Sequence, residues 1–259
     1  MNLELKDKVA IVGGASQGIG FGIARALAQE GASLVITARR APALEEAAAR
    51  LRAECGVQVL AVASDARSAA DCKEVATKAF ERFGGVDILV NNDGAPPLGP
   101  IQSFDDTAWE NAFAQNMLSV IRMVREVVPS MRERGGGSIV NISALSAVQP
   151  IDGFALSVGT WAGLIGYAKT LSNELGPHGI RVNTILPGFI DTPRMQRAAI
   201  SAGRPLDEVM KERVAQIPLG RIGTPEEIGA YAAFLASPRA GFMTGTAVQV
   251  DGGMLRAQR

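Results

Sequence analysis

Short apolar runs alternate with longer segments of helical periodicity along the whole chain. The apolar runs predict buried strands over Val9–Val12, Ser33–Ala38, Val57–Ala63, Val86–Val90, Ser138–Ile142, Arg181–Ile185 and Ala247–Val250. The segments between them favour helices, because apolar side chains recur there every three or four residues. These helices are expected over Phe21–Ala28, Pro42–Glu54, Ala69–Phe83, Asp106–Arg134, Phe154–Leu175 and Thr224–Leu235.

A strand–helix alternation of this regularity is typical of a mainly parallel sheet with helices on both faces. The sequence therefore predicts an α/β fold, a Rossmann-type doubly wound parallel sheet that forms a single domain over residues 1–259. The helix Asp106–Arg134 is expected to bend near Pro129, because proline lacks the backbone N–H that a helix interior needs.

One long stretch, Gly188–Pro218, shows no sustained period. Ligands bind beyond the carboxyl ends of the strands in such sheets, so this stretch is predicted to be a mobile substrate lid. Its composition favours an apolar pocket with an anion contact. The side chains concerned are Met195, Ile200, Leu206, Met210, Arg194, Arg197 and Arg204.

Composition excludes several classes of partner. The 26 basic and 26 acidic residues give no net charge, which disfavours nucleic acid and anionic membranes as partners. No apolar run approaches the roughly 18 residues of a membrane span, and the first residues lack the apolar core of a signal peptide. Cys55 and Cys72 make no disulfide framework. A cytoplasmic protein with a small-molecule substrate is expected.

A glycine-rich turn, Gly13–Gly20, joins the first strand to the first helix. Glycine permits a tight turn and a close backbone approach, and a helix N-terminus offers free N–H groups to an anion. A strand, a glycine turn and a helix in this order favour the pyrophosphate of a dinucleotide. A purely structural turn is the alternative.

Several motifs in order resemble the short-chain dehydrogenase/reductase family over nearly the whole length. Gly14–Gly20 resembles its glycine motif, Asn91–Gly94 its Asn-Asn-Ala-Gly motif, and 187–192 the segment along the nicotinamide. The resemblance implies a dinucleotide site that includes Gly14, Ser16, Gln17, Gly18, Ile19, Gly20, Asp65, Ala66, Asn92, Gly94, Ile142, Pro187, Gly188, Ile190 and Thr192. It also implies a homo-oligomer, either a tetramer or a dimer.

The end of the second strand decides between the two nicotinamide dinucleotides. An acidic residue there would bind the ribose 2′-hydroxyl of NAD, but the sequence has Arg39 and Arg40. A guanidinium suits a 2′-phosphate, because it is a planar fork with several donors. NADP(H) is therefore expected in preference to NAD(H), with Arg39 as the favoured contact. Two solvated arginines are the alternative.

The catalytic positions depart from the family pattern. The resemblance places Ala144, Ser157 and Trp161 where the family has its Ser, Tyr and Lys. A serine hydroxyl is a weak acid and an indole N–H carries no positive charge, so neither replaces a lysine-activated phenol. Ser146, two residues beyond Ala144, could face the site.

The catalytic candidates that remain are Asn116, Ser143, Ser157 and Asp93. The resemblance gives Asn116 the role of supporting a proton-relay water. Asp93 replaces the small Ala of its motif and could be an acid of raised pKa, a contact for a cationic substrate, or a turn residue. A catalytic metal is not expected from one His and two distant Cys.

Three functions stay open at this stage. The first is an NADP(H)-binding oxidoreductase that acts on a carbonyl or alcohol with a non-standard or impaired proton-transfer site. The second is a catalytically inactive homologue that serves as a dinucleotide-binding sensor or structural subunit. The third is non-redox chemistry, such as a lyase or isomerase step, in the same crevice.

Overall fold

A computed structural model describes residues 2–92, 94, 96–196 and 205–257. In this part of the chain, seven strands form one sheet in which every neighbouring pair is parallel. The strands are β1 (Val9–Val12), β2 (Ser33–Ala38), β3 (Val59–Ala63), β4 (Ile88–Asn91), β5 (Gly137–Ile142), β6 (Ile180–Pro187) and β7 (Ala247–Val250). Their order is β3-β2-β1-β4-β5-β6-β7, as in a doubly wound fold.

Helices connect the strands and cover both faces of the sheet. They are α1 (Gly18–Gln29), α2 (Ala41–Cys55), α3 (Ala69–Phe83), α4 (Asp106–Phe113), α5 (Ser119–Glu133), α6 (Ala155–Leu175), α7 (Leu206–Val214) and α8 (Pro225–Ala236). The predicted strand and helix order is confirmed, with most boundaries shifted by at most two residues. No helix among the described residues combines the length and apolarity needed to cross a bilayer.

The predicted helix Asp106–Arg134 differs from the structure in its irregularity. A π-helical turn, Ala114–Leu118, separates α4 from α5, and the Ser119 N–H donates to the Ala114 carbonyl five residues earlier. Pro129 lies inside α5. The pattern of apolar residues could not place the π turn, because one extra residue in a turn leaves a helical segment on either side of it.

The prediction that Gly188–Pro218 lacks regular structure is wrong for part of this stretch. Residues 193–196 are helical, and α7 occupies Leu206–Val214. Sequence reasoning missed α7 because the segment is short and strongly charged, with Val209 as its buried residue. The lid prediction extends over 197–204, which lie outside the described residues.

Two apolar clusters form the core, one on each face of the sheet. On the first face, α1 and α8 approach so closely that a Cβ on Gly22 would lie 2.5 Å from the Pro225 carbonyl oxygen. The other face is covered by α3, α5 and α6. Helix packing on both faces leaves the carboxyl ends of the central strands open at one edge.

The glycine-rich turn crosses directly over the end of β4. The Gly13 N–H donates to the Val90 carbonyl at 3.0 Å, and the Asn92 amide donates to the Gly13 carbonyl at 3.2 Å. A Cβ on Gly20 would lie 2.4 Å from the Gly14 carbonyl oxygen and 2.6 Å from the Asn92 amide nitrogen. The turn, α1 and β4 therefore meet at a contact that admits no side chain.

Gly20→Ala should lower the free energy of unfolding by roughly 1–3 kcal/mol, because overpacked positions force the backbone apart. Gly166→Ala is the matched control, since a Cβ there would have open space and alanine favours an exposed helix position. That control should be neutral or stabilising by up to about 1 kcal/mol. Urea unfolding measures the free energy of unfolding of both variants. Equal stability of the two variants would contradict the close contact at Gly20.

A capping box begins α8. The Thr224 hydroxyl accepts from the Glu227 N–H, and the Glu227 carboxylate accepts from the Thr224 N–H and from Arg221. The Arg221 guanidinium is the main cause that lowers the pKa of Glu227 from 4.5 to about 2. The ionised carboxylate therefore stabilises the folded state.

Glu227→Gln should reduce stability at pH 7 by about 1 kcal/mol, the usual value of a helix cap. A lowered folded-state pKa stabilises fully above about pH 4.5, and this contribution declines as the pH falls towards 2. The difference between the wild type and the variant should therefore shrink in that window. Thermal unfolding as a function of pH measures this stability difference, and Glu226→Gln, an exposed neighbour, is the control. A stability difference that stays constant between pH 4.5 and 2 would contradict the prediction.

Candidate functional site

Two joined cavities open at the carboxyl ends of β1, β2, β4, β5 and β6. The larger, which we call the groove, has a volume of about 760 Å³ and follows the glycine turn. The smaller, which we call the inner pocket, has a volume of about 170 Å³ and lies beyond the end of β5. The residues that line both cavities are Ile19, Asn92, Gly94, Thr192 and Arg194. A long ligand in the groove could thus present one end to the inner pocket.

The glycine turn gives the groove its anion-binding floor. Gly14 and Gly18 both have φ of +59°, a conformation that L side chains rarely adopt. Gln17 precedes α1 and its side chain caps none of the described N–H groups, and the first helical turn holds no acidic residue. The N–H groups and the positive end of the helix dipole are therefore available to an anion such as a pyrophosphate.

The far end of the groove carries three arginines and one aspartate. Arg39, Arg40 and Arg67 line this end, as does Asp65. Arg67 donates to both carboxylate oxygens of Asp65, at 3.0 Å and 2.6 Å. This bond is the main cause that holds the pKa of Asp65 below its ordinary value, and the charge of Arg39 contributes. The carboxylate is thus already paired, and an excess of positive charge remains.

The structure brings most of the predicted dinucleotide residues to these cavities. The groove is lined by Gly14, Ser16, Gln17, Gly18, Ile19, Arg39, Arg40, Asp65, Ala66, Asn92, Gly94 and Thr192. The inner pocket is lined by Ile142, Pro187, Gly188 and Ile190. Gly20 lies beneath the turn at the close contact with Asn92.

The end of β5 turns irregularly into the inner pocket. A 3₁₀ turn, Leu145–Ala147, follows the strand, so Ser143, Ala144 and Ser146 all line the pocket. The hydroxyls of Ser143 and Ser146 are buried and have no hydrogen-bond partner among the described residues. Strict strand alternation would send Ser143 and Ala144 to opposite sides, yet both residues line the pocket.

On α6, the catalytic candidate Ser157 does not reach either cavity. Its side chain is fully buried, and its hydroxyl has no described hydrogen-bond partner. Trp161, one turn later, is buried and lines the inner pocket. The guanidinium of Arg194 lies 5.9 Å from the centre of its ring. An indole covered by a guanidinium therefore occupies this part of the wall.

The π turn places Asn116 beside Gly94, which lines the inner pocket. Its amide nitrogen donates to the Thr160 hydroxyl at 2.7 Å, while its carbonyl oxygen is buried without a described partner. A Cβ on Gly94 would lie 2.3 Å from that oxygen. Asn116 thus packs against the loop after β4 and keeps one acceptor free. Asp93, the remaining candidate in that loop, lies outside the described residues.

Sequence reasoning missed Arg67 and Arg213, and it named Arg194 without placing its contacts. Arg67 binds Asp65, and Arg194 donates to the carbonyls of Gly94 and Pro96, at 3.3 Å and 3.4 Å. Arg213, from the last turn of α7, lines the inner pocket and lies 5.0 Å from the centre of the Phe189 ring. Only the placement of α7 could have revealed Arg213, and the short helix gave no clear pattern.

The structure therefore confirms only part of the set of lid residues that was expected to form an apolar pocket with an anion contact. Arg194 and Met195 do line the inner pocket, whereas Leu206 does not line it and is 37% exposed. Arg197, Ile200 and Arg204 lie outside the described residues. In the part of the chain that the structure describes, no three His, Cys, Asp or Glu side chains could hold a metal ion together.

Comparisons with known proteins agree with this geometry. The family profile described as Enoyl-(Acyl carrier protein) reductase matches residues 14–255. The human dehydrogenase/reductase SDR family member 4 is 36% identical over 250 residues, which cover 96% of this chain and 88% of that protein. The 3-oxoacyl-[acyl-carrier-protein] reductase FabG of Chlamydia muridarum is 35% identical and covers 98% of this chain and 100% of its own.

A solved structure is equally similar. L-sorbose reductase from Gluconobacter frateurii, complexed with NADPH and L-sorbose, is 36% identical with a TM-score of 0.95, and the match covers 100% of both chains. Matches of this length and identity, together with the doubly wound sheet and its glycine turn, establish the relationship. The chain belongs to the short-chain dehydrogenase/reductase family.

Proposed function

We propose that the protein binds NADP(H) in the groove and acts as an oxidoreductase on a carbonyl or alcohol in the inner pocket, with a non-standard proton-transfer site. The observation that carries the NADP(H) preference is the charge at the far end of the groove. Arg39 and Arg40 form no hydrogen bond or ion pair with a carboxylate among the described residues, while Asp65 is held by Arg67. This end therefore favours a 2′-phosphate over a bare 2′-hydroxyl.

The rest of the groove fits the same ligand. The N–H groups of the glycine turn would bind the pyrophosphate, and Thr192 would hold the carboxamide of the nicotinamide at the junction with the inner pocket. Ile142, Pro187 and Gly188 would shape the surface beneath the ring. When bound, the cofactor supplies a hydride donor or acceptor.

The proton path is where this chain departs from its family. Ala144, Ser157 and Trp161 offer neither a phenol nor an ammonium, and Ser157 is sealed from the pocket. Ser143 has an unpartnered hydroxyl that would orient the substrate oxygen. A water beside the free carbonyl oxygen of Asn116 would relay the proton. Loss of general acid catalysis typically slows a reaction by about 10²–10⁴-fold, so turnover would be slow rather than absent.

A second function is favoured by one observation, the wall formed by Trp161 and Arg194. An indole under a guanidinium occupies the part of the wall where the family has its lysine. A protein of this kind would bind NADP(H) without turnover and act as a sensor or structural subunit. Tight NADPH binding without activity against a broad carbonyl panel would favour this function over the first.

We also propose that the protein is a single domain, that it is cytoplasmic and that it assembles into a homo-oligomer. The segment 188–218 is proposed to act as the substrate lid. Support for assembly comes from large apolar side chains left in solvent, among them Phe242, Leu219 and Ile101. Cys55 and Cys72 form no disulfide bond with each other, which suits a reducing compartment. Concentration-dependent sizing tests the assembly.

Arg39→Ala should weaken NADPH binding by about 10-fold or more, because a charge-assisted hydrogen bond to the 2′-phosphate is lost. NADH binding should change little, since NADH carries no phosphate there. Fluorescence titration of both dinucleotides measures the difference, and Arg132→Ala, an exposed arginine of α5, is the control. A wild-type protein that binds NADH as tightly as NADPH would contradict the proposal.

Restoring the family residues should raise carbonyl reduction. The triple variant Ala144→Ser, Ser157→Tyr and Trp161→Lys should gain about 10²–10⁴-fold in kcat/KM against a responsive carbonyl, because it recovers an activated phenol. The control replaces Ser157 with Phe in the same background, which restores the ring without its hydroxyl. A folded triple variant that binds NADPH but gains nothing would argue that the pocket serves another purpose.

A further inference from the structure

Apolar side chains form most of the lining of the inner pocket. Its outer part is formed by side chains that carry no polar group or only a weak one: Leu98, Ile151, Phe154, Phe189, Met195 and Met254. Two arginines, Arg194 and Arg213, also line it, and no carboxylate occurs among its described lining residues. The pocket thus combines a largely apolar lining with the positive charge of Arg213.

The two arginines are engaged differently. Arg194 lines both cavities and donates to the carbonyls of Gly94 and Pro96. Arg213 lines the inner pocket but not the groove, so a dinucleotide in the groove does not explain it. Its guanidinium makes no hydrogen bond or ion pair with any described residue and lies instead over the Phe189 ring.

Burial makes this isolation of Arg213 costly. The side chain is only partly exposed, and its removal from water lowers the pKa of the guanidinium below its ordinary value. Five N–H donors on a partly buried cation need acceptors, and a carboxylate matches their planar fork with two parallel hydrogen bonds. Stacking on Phe189 would hold the guanidinium at the pocket wall in readiness for such a partner.

We infer that the inner pocket takes a substrate with an apolar body and a carboxylate, and that Arg213 binds the carboxylate as a specificity-determining residue. The inference rests on the proposed function, because it assigns the end of the substrate that lies away from the cofactor. The apolar wall binds the body, and the carbonyl or alcohol faces Ser143.

Binding rather than turnover tests this inference, since turnover is expected to be slow. The probes are phenylacetate, 3-phenylpropanoate and 4-phenylbutanoate, each paired with its neutral amide. Calorimetry with the full chain, with and without saturating NADPH, measures their affinities. The wild type should bind the best acid about 10-fold or more tightly than its amide, because a charge-assisted pair is added to the same apolar contact.

Variants assign the preference to one side chain. Arg213→Gln should weaken binding of the acid by about 10- to 100-fold and leave binding of the amide unchanged. Arg213→Lys should recover part of the lost affinity for the acid. Lys211→Gln, which removes an exposed charge from the same helix, is the matched control and should change neither. Thermal unfolding confirms that each variant is folded.

The outcomes separate the two proposals. Equal affinity for acid and amide in the wild type, failure to bind either, or a preference that survives Arg213→Gln would overturn the inference about Arg213. Absence of NADPH binding in the wild type would instead overturn the proposed function. Normal NADPH affinity in Arg213→Gln is expected, because Arg213 does not line the groove.

Discussion

The contact between the glycine turn and the loop after β4 sets the positions of everything at the site. Gly20 approaches the Gly14 carbonyl and the Asn92 amide so closely that no side chain fits between them. This contact joins the start of α1 to the end of β4, across the point where the strand order reverses. The groove, the inner pocket and the loop that meets Asn116 are all placed relative to it, so a small displacement here would be felt throughout the site.

Much of the fold follows from elementary patterns. Buried β-branched runs and helical periodicity were enough to predict the order of strands and helices, because parallel strands covered on both faces must be apolar throughout. The glycine turn and the arginines after β2 likewise pointed to the groove, since turn chemistry and charge are local properties. The π turn and α7 were not predicted, because neither produces a local repeat of apolar residues.

The site itself was only partly predictable. Ser143 lines the inner pocket together with its strand neighbour Ala144, against simple alternation, while Ser157 faces the core in spite of its place on α6. Arg213 could not be assigned at all, because a charged residue on a short helix usually faces water. Polar residues that are brought together from separate loops leave no periodic signal, and only packing reveals which of them share a cavity.

The π turn at Ala114–Leu118 has a consequence for how this chain tolerates change in length. Its hydrogen bond spans five residues where an ordinary helix spans four. Deleting one residue there would regularise the backbone between α4 and α5 but would rotate the preceding helix by about 100°. Asn116 would then lose its alignment with Thr160 and Gly94. A chain shortened in this way would have a more regular helix but would lose the packing of Asn116 beside the inner pocket.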